Sequence, residues 1–434
     1  TPNAMRLIEN AAANKNEYWR VFGNAYLQVE PIKNLIVKPN FGVKYYNETH
    51  KTFEPAWLRD TVNKLTQSTS KNQDWVWTNT AQYNFDLDKH SFMALAGFES
   101  KKYHNENFFG YGTGLQIEDP NYLYLSNVTA NKNVGAGASN YSMVSGFGKL
   151  NYTYDNKYLV SFTLRRDASS RLSKDHNYDW FPSVSAGWRL SQESFMEPTQ
   201  SWLSNLKLRG SWGINGNDLI DNEAFYAKYL MSLDRGSYNM SGDGTTLSPG
   251  AYRIRTTNPD LKWETTDQWD LGLDLGFFDE RLAVNIDFYD KVTRDLLLAA
   301  QMPYSSGYAT AMKNIGKVRN RGLEFTLNTV NINKRGFKWT TNFNIAFNKN
   351  TVLELAENQE ALTTSAYFDA TYNNQPCFIA RKGESMGMMY GYIYEGTYKD
   401  EDFEGGVLRD GVAAFVSEQN PKPGYPRYAD LNGA

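Results

Sequence analysis

The side chains that most often carry covalent or metal chemistry are sparse in this sequence. Its four histidines, His50, His90, His104 and His176, stand far apart. None of them falls in a nucleophile or metal-ligand motif. The single cysteine, Cys377, excludes an internal disulfide and a cysteine-rich metal site. The acidic run Asp400, Glu401, Asp402 and Glu404 reads as a solvated turn. Near the end of the chain, "DLNG" sets Asp430 and Asn432 as in the opening of a calcium loop. Ala434 takes the third ligand position and no glutamate follows, so a turn at Asn432-Gly433 is the expectation, with no metal. These residues predict a protein that is not an enzyme and that holds no cofactor.

Chemistry of binding is better represented. "GKVRNRG" puts Lys317, Arg319 and Arg321 on one face of a strand. They could contact an anion or lipopolysaccharide, but solvated charge at a rim is the preferred reading. "LRRDASSR" and "NYDWFP" gather Arg165, Arg166, Asp167, Arg171 and Asp179 at the base of one loop, where they could face substrate hydroxyls, but salt bridges that order the loop are the preferred reading. Loops also carry many aromatic residues. Trp57, Tyr111, Tyr122, Tyr252, Tyr308 and Tyr367 are the candidate substrate contacts, with Tyr124 and Tyr304 nearby. Aromatic faces beside amides and hydroxyls suit sugar rings. Contact with a lid protein, or packing among the loops, is the competing role.

The elements that would position these residues follow a period of two. In "FDERLAVNIDFYDKV", Leu282, Val284, Ile286 and Phe288 fall on one side of a strand. Arg281, Ala283, Asn285, Asp287 and Tyr289 fall on the other. The pattern recurs in "WRVFGNAYLQVE", "NLIVKPNFGVKYY", "KYLVSFTLRRD", "WDLGLDLGFF" and "FKWTTNFNIAFNKN". About a dozen strands of roughly ten residues result, longer than the ~5–6 of soluble sheets and near the length that spans a bilayer. No stretch approaches the roughly 18 apolar residues of a membrane helix, which with a mean hydropathy of −0.60 excludes helical spans but not a barrel, whose inner face is polar. A formal net charge of −3 gives no reason to expect nucleic acid.

Connections alternate in length. Short ones are expected near Pro31–Asn34, Asp86–Lys89, Asp155–Lys157, Asp279–Glu280 and Asn331–Gly336, and a medium one over Ser191–Asn205. Long ones are expected over 47–72, 104–140, 167–179, 214–262, 291–313 and 350–388. Tight turns at one end and long loops at the other describe an all-β, antiparallel up-and-down transmembrane β-barrel. Trp75, Trp180, Trp263 and Trp269 are placed at long-loop ends and Trp339 at a short turn, all on the apolar face, as a membrane girdle. The apolar face would then touch outer-membrane lipid. A passive channel and a soluble β-rich adhesin are the alternatives, and the adhesin predicts shorter strands and no loop alternation.

Several stretches, taken together and in order, resemble one family. They are "FTLRRDASSR", "FPSVSAGWRLSQESF", "LKLRGSWGINGN", "NPDLKWETTDQWDLGLDLGFF", "NIGKVRNRGLEFTLN", "FNIAFNKN" and "YPRYADLNG". The chain is similar to the SusC/RagA-type TonB-dependent transporters of the Bacteroidetes outer membrane. The resemblance implies part of a 22-stranded barrel around a plug. It implies active import energised by a TonB complex through that plug. It also implies a SusD-like surface lipoprotein as lid, and an oligosaccharide, or in some members a peptide, as substrate. The expectation for residues 1–434 is a partial barrel, with plug domain and terminal strands outside it.

Overall fold

The computed structural model describes residues 5, 8, 14–56, 62–222, 224–232, 238–240, 242, 248, 250–302, 304–308, 310–356, 359–365, 376–409, 412 and 421–429. Twelve long strands dominate the described residues. They are β1 (Lys15–Tyr26), β2 (Leu35–Glu54), β3 (Lys64–Leu87), β4 (His90–Thr113), β5 (Ala130–Tyr154) and β6 (Tyr158–Ser169), then β7 (Tyr178–Arg189), β8 (Leu203–Asn217), β9 (Glu264–Phe277), β10 (Leu282–Arg294), β11 (Lys317–Lys334) and β12 (Phe337–Glu354). Each neighbours the next in a single sheet, and the short strand Val29–Ile32 pairs with the start of β2. This is the expected meander.

Side-chain alternation sets its register. Leu271, Leu273 and Leu275 of β9 stand opposite Phe288, Ile286 and Val284 of β10. Those three stand opposite Leu323, Phe325 and Leu327 of β11. One face of three neighbouring strands is therefore continuously apolar. The other carries Asp274 against Asn285 and, on the opposite side, against Lys207. A slip of one residue would exchange the faces, so the register is strongly specified.

The short turns use residues that tolerate left-handed backbone. In the three-residue connection Asp155–Lys157, Asp155 and Asn156 both have positive φ, 48° and 54°, at the centre of a turn closed by the Lys157 N–H donating to Tyr154 O at 2.9 Å. Asn34 and Asp88 do the same at 69° and 51°. The medium connection after β7 is tied down by Glu193. Its carboxylate accepts from Tyr158 Oη at 2.7 Å, Trp188 Nε1 at 3.0 Å and Lys157 Nζ at 3.2 Å. The hydrogen bond from Tyr158, then that from Trp188, holds the Glu193 carboxyl below its ordinary pKa.

Strand length departs from expectation. Strands β2 to β5 run 20 to 25 residues, about twice what a tilted span needs. The 47–72 and 104–140 connections accordingly shrink to 55–63 and 114–129. In the extra length of β3 both faces are largely polar, as in "KLTQSTSKNQ", so the hydrophobic alternation that marks a half-buried strand is missing. Cross-strand polar pairs replace it, including Tyr103 Oη to Asn72 Oδ1 at 2.7 Å and Asn105 Nδ2 to Ser70 Oγ at 3.1 Å. A small core of Phe53, Leu65, Leu115, Leu123 and Val128 caps this end. Asn63 fastens it, donating to Leu115 O at 2.8 Å and accepting from Leu115 N at 2.7 Å.

Residues 349–434 form a second unit of small pieces. Ala361–Ser365, Pro376–Arg381 and Met388–Met389 make one small sheet, and Tyr394–Thr397 pairs with Pro426–Tyr428. A single 3-10 turn covers Asp400–Asp402, in keeping with the acidic run as a turn. Asp430 and Asn432 lie outside the described residues.

Several glycines on the polar face are covered by an aromatic ring of the next strand. Phe147 lies over Gly97, Phe109 over Gly135, and Tyr289 over Gly322. At Gly322 a Cβ would meet the Tyr289 ring and stand 2.6 Å from the Phe347 carbonyl oxygen. Gly322→Val should therefore destabilise the wall by about 2–3 kcal/mol through overpacking. The check is loss of the faster-migrating, unboiled form of the full receptor on gels, with Gly391→Ala, where a Cβ meets nothing within 4 Å, as the comparison.

The lowered Glu193 pKa gives a signed pH dependence. Its stabilisation is complete above the ordinary carboxylate range and is lost as pH falls through the lowered value. Hydrogen exchange across 190–202 should show that segment opening on acidification. Glu193→Gln should already be less protected at neutral pH and should respond less to acid.

Candidate functional site

The polar face of β8, β9 and β10 is organised around Arg209. Its Nε donates to Asp274 Oδ1 at 3.1 Å, and its Nη1 lies 3.6 Å from Asp270. Nη2 reaches Asp287 Oδ1 at 2.6 Å, off the hydrogen-bonding axis, as an ion contact. Asp287 belongs to β10, two strands from Arg209. Gly272 of β9 stands between them, paired with both. A Cβ there would collide with the Arg209 guanidinium. The glycine is what lets one arginine cross a strand and join three carboxylates. Asn285 and Lys207 complete the set, at 2.9 Å and 3.7 Å from Asp274.

Beside this cluster runs a groove of about 490 Å³ whose polar lining includes Lys149, Asn151, Ser161, Ser185, Lys207 and Arg209. Toward the long-loop end, Arg165 pairs with Asp167 at 2.7 Å and reaches Ser145 at 2.8 Å and Glu99 at 3.4 Å. Arg171 binds Asn222 at 2.8 Å and Asp218 at 3.5 Å and lies 4.0 Å from the centre of the Tyr141 ring. The expected loop-ordering salt bridges thus exist for Arg165, Asp167 and Arg171. Arg166 is different. It points to the apolar face, against Tyr178 and Trp180. Asp179 accepts from the Trp180 backbone N–H.

The candidate loop aromatics fall into separate groups. Tyr111 lies on β4, with Lys64 Nζ 4.8 Å from its ring centre and Asn133 donating to its hydroxyl at 3.2 Å. Tyr122 and Tyr124 are exposed on the 114–129 connection, Tyr124 under Lys51. Tyr252 lies on the hairpin Lys228–Ser232 with Gly250–Arg255. Its neighbour Arg253 stacks over Tyr308. Tyr111 and Tyr122 thus belong to β4 and the connection after it, and Tyr252 and Tyr308 to later connections. Trp57 and Tyr367 lie outside them.

The tryptophans need two corrections. Trp180, Trp269 and Trp339 are about half or more exposed on the apolar face, at 50%, 60% and 54%, Trp180 and Trp339 near strand ends and Trp269 further inside β9. Trp263 is only 3% exposed and packs with Leu172, Phe181, Ala224 and Leu261, its Nε1 donating to Asn177 O. It precedes β9, and strand parity does not extend past the strand's end. Trp75 sits in the middle of β3, beside Phe41, because β3 continues eleven residues further toward Lys64. It marks the edge of the apolar stretch, not the end of the strand. Trp212, 6.1 Å from Trp269 between ring centres, also lies on the apolar face. The flanking register alone could have indicated it. Lys317, Arg319 and Arg321 also share that face, and Arg319 and Arg321 converge on Asp290 as ion pairs.

A family model for the TonB dependent receptor-like β-barrel matches residues 5–433. The chain belongs to this family. TonB-dependent receptor P3 of Formosa agariphila is 32% identical over 413 residues, 94% of this chain and 40% of the relative. TonB-dependent receptor SusC of Bacteroides thetaiotaomicron is 36% identical over 279 residues, 63% of this chain and 26% of the relative. The RagAB peptide importer in its closed-closed state superposes with a TM-score of 0.76 at 26% identity, over 89% of this chain and 41% of that one. The chain spans about two fifths of the length of relatives such as receptor P3. Its wall is therefore receptor-barrel wall in the outer membrane, with the apolar face toward lipid and the Arg209 cluster toward the lumen.

Arg209→Met should leave three facing carboxylates and cost about 1–2 kcal/mol, reduced from the buried-pair figure because water reaches the lumen. Gly272→Val should act in the same direction by pushing the guanidinium away from Asp287. Urea unfolding of the full receptor in detergent reads both. An unchanged midpoint in both variants would show that the cluster does not stabilise the wall.

Proposed function

We propose that this wall belongs to an active importer of a bulky nutrient, most simply an oligosaccharide, energised by TonB through a plug and working with a SusD-like lipoprotein. The observation that carries the proposal is the lumen wall. It presents a continuous row of hydrogen-bonding groups, from Asp270, Asp274 and Arg209 to Lys149, Asn151 and Ser161, suited to a hydrated, polar cargo and to a polar plug surface. Exposed tyrosines at the long-loop end, Tyr122 and Tyr124 among them, supply flat apolar faces for sugar rings. Binding that does not distinguish plug positions shifts none of them, so cargo must favour the state in which the plug yields. A peptide cargo is the second reading, favoured by the similarity to a peptide importer.

Uptake of labelled oligosaccharides and peptides by cells with and without the full receptor tests the reading, with a TonB-deficient strain alongside. Receptor- and TonB-dependent oligosaccharide uptake is the expected result. Receptor-dependent uptake that persists without TonB would make the barrel a passive channel. The triple change Tyr111→Ala, Tyr122→Ala, Tyr124→Ala should weaken cargo binding on the order of tenfold, about 1.4 kcal/mol, with the receptor's folded amount unchanged.

A further inference from the structure

The lipid-facing wall carries an apolar groove of about 820 Å³ across β4 to β7. Its walls include Phe98, Leu150, Phe162 and Trp180, and its floor includes Gly146 and Gly148. These glycines contrast with those on the lumen face. Gly97 and Gly322 are covered by aromatic rings of this chain, whereas a Cβ at Gly146 would meet nothing within 4 Å. At Gly148 the nearest atom is the Leu95 carbonyl oxygen at 3.7 Å. In the bilayer this space is filled by hydrocarbon.

The lining holds two cations, Lys149, which strand alternation turns to the lumen face, and Arg166 at the rim. Arg166 is paired across the ladder with Gly146 on one side and Trp180 on the other. Its guanidinium lies 4.3 Å from the centre of the Tyr178 ring and 5.5 Å from that of Trp180. Two rings fix its position and leave its N–H donors free in direction. No carboxylate forms a salt bridge with it among the described residues, although Arg165, one residue earlier, has Asp167 and Glu99. The outer-face pair Arg319 and Arg321 is likewise answered, by Asp290. Arg166 is thus a positioned, uncompensated cation at the long-loop end of an apolar groove. Long loops are extracellular in this architecture, so the cation stands at the outer-leaflet headgroup level.

We propose that this groove is a specific site for a phosphate-bearing glycolipid of the outer leaflet, with one acyl chain lying over Gly146 and Gly148 and the phosphate on Arg166. Shape and charge both select. The groove accepts a chain where the surrounding face is raised by Phe98, Leu150 and Phe162. The guanidinium offers paired donors to phosphate oxygens. The aromatic pair keeps that fork at the membrane boundary, where a mobile arginine would turn to water.

The full receptor, purified in mild detergent and stripped of lipid, is to be titrated with lipid A, with dephosphorylated lipid A and with phosphatidylglycerol, and retention read by native mass spectrometry. Lipid A should bind best. Arg166→Gln should weaken it on the order of tenfold and bring it level with the dephosphorylated form. Gly148→Leu should lower retention of both lipid A forms by filling the groove. Heat-shifted mobility on gels confirms that each variant is folded, and Arg321→Gln, outside the groove, should bind as the parent does. Equal binding by Arg166→Gln and the parent would overturn the phosphate contact. Phosphatidylglycerol binding as tightly as lipid A would overturn the glycolipid assignment. Unchanged retention in Gly148→Leu would overturn the placement of the chain.

Discussion

In hydrocarbon a peptide group without a hydrogen-bond partner costs several kcal/mol, and every other feature of this wall depends on that constraint. A strand can satisfy its backbone only through neighbours on both sides. The chain therefore folds as consecutive hairpins, each strand paired with the one before and the one after. Pairing fixes register, and register fixes which side chains meet lipid and which meet the lumen. The turns at the short end must then match the twist of the strands they join, which is why asparagine and aspartate with positive φ recur there.

The two faces handle charge by different means. On the lumen face charges form networks across strands, as when Arg209 passes over Gly272 to reach Asp287. Water and several carboxylates share the cost of holding each ion. On the lipid face charge is confined to the rim, where Arg319 and Arg321 share Asp290 and Arg166 lies against aromatic rings. Arg165 and Arg166 are adjacent in sequence and chemically identical, yet strand alternation sends one into a polar network and the other toward lipid.

Above the lipid level the same strands continue under different rules. With water on both sides, β2 to β5 no longer need an apolar face, and cross-strand amide, hydroxyl and ring contacts hold them together. Small buried clusters around Leu123 and around Trp263 then anchor the connections. The long-loop end is thus a raised rim of paired strands with short caps, and that rim is what carries Tyr111, Tyr122 and Tyr124.

The sequence by itself determined the meander, the two faces and the alternation of short and long connections. Each is a local property, written in a period of two and in turn residues, so it is legible wherever one face is apolar. The residues of the lumen wall were also legible as wet-face residues, Asp287 and Asn285 among them. Only the tertiary structure decided their partners. Arg209 and Asp287 are far apart in sequence, and their contact depends on a glycine in the strand between them. The extra length of β2 to β5 is not legible in the sequence, because strands wet on both faces have no hydropathy signature. The burial of Trp263 is illegible for a related reason: parity assigns a face only inside a strand, and what a residue touches beyond the strand's end is set by the fold of the connection.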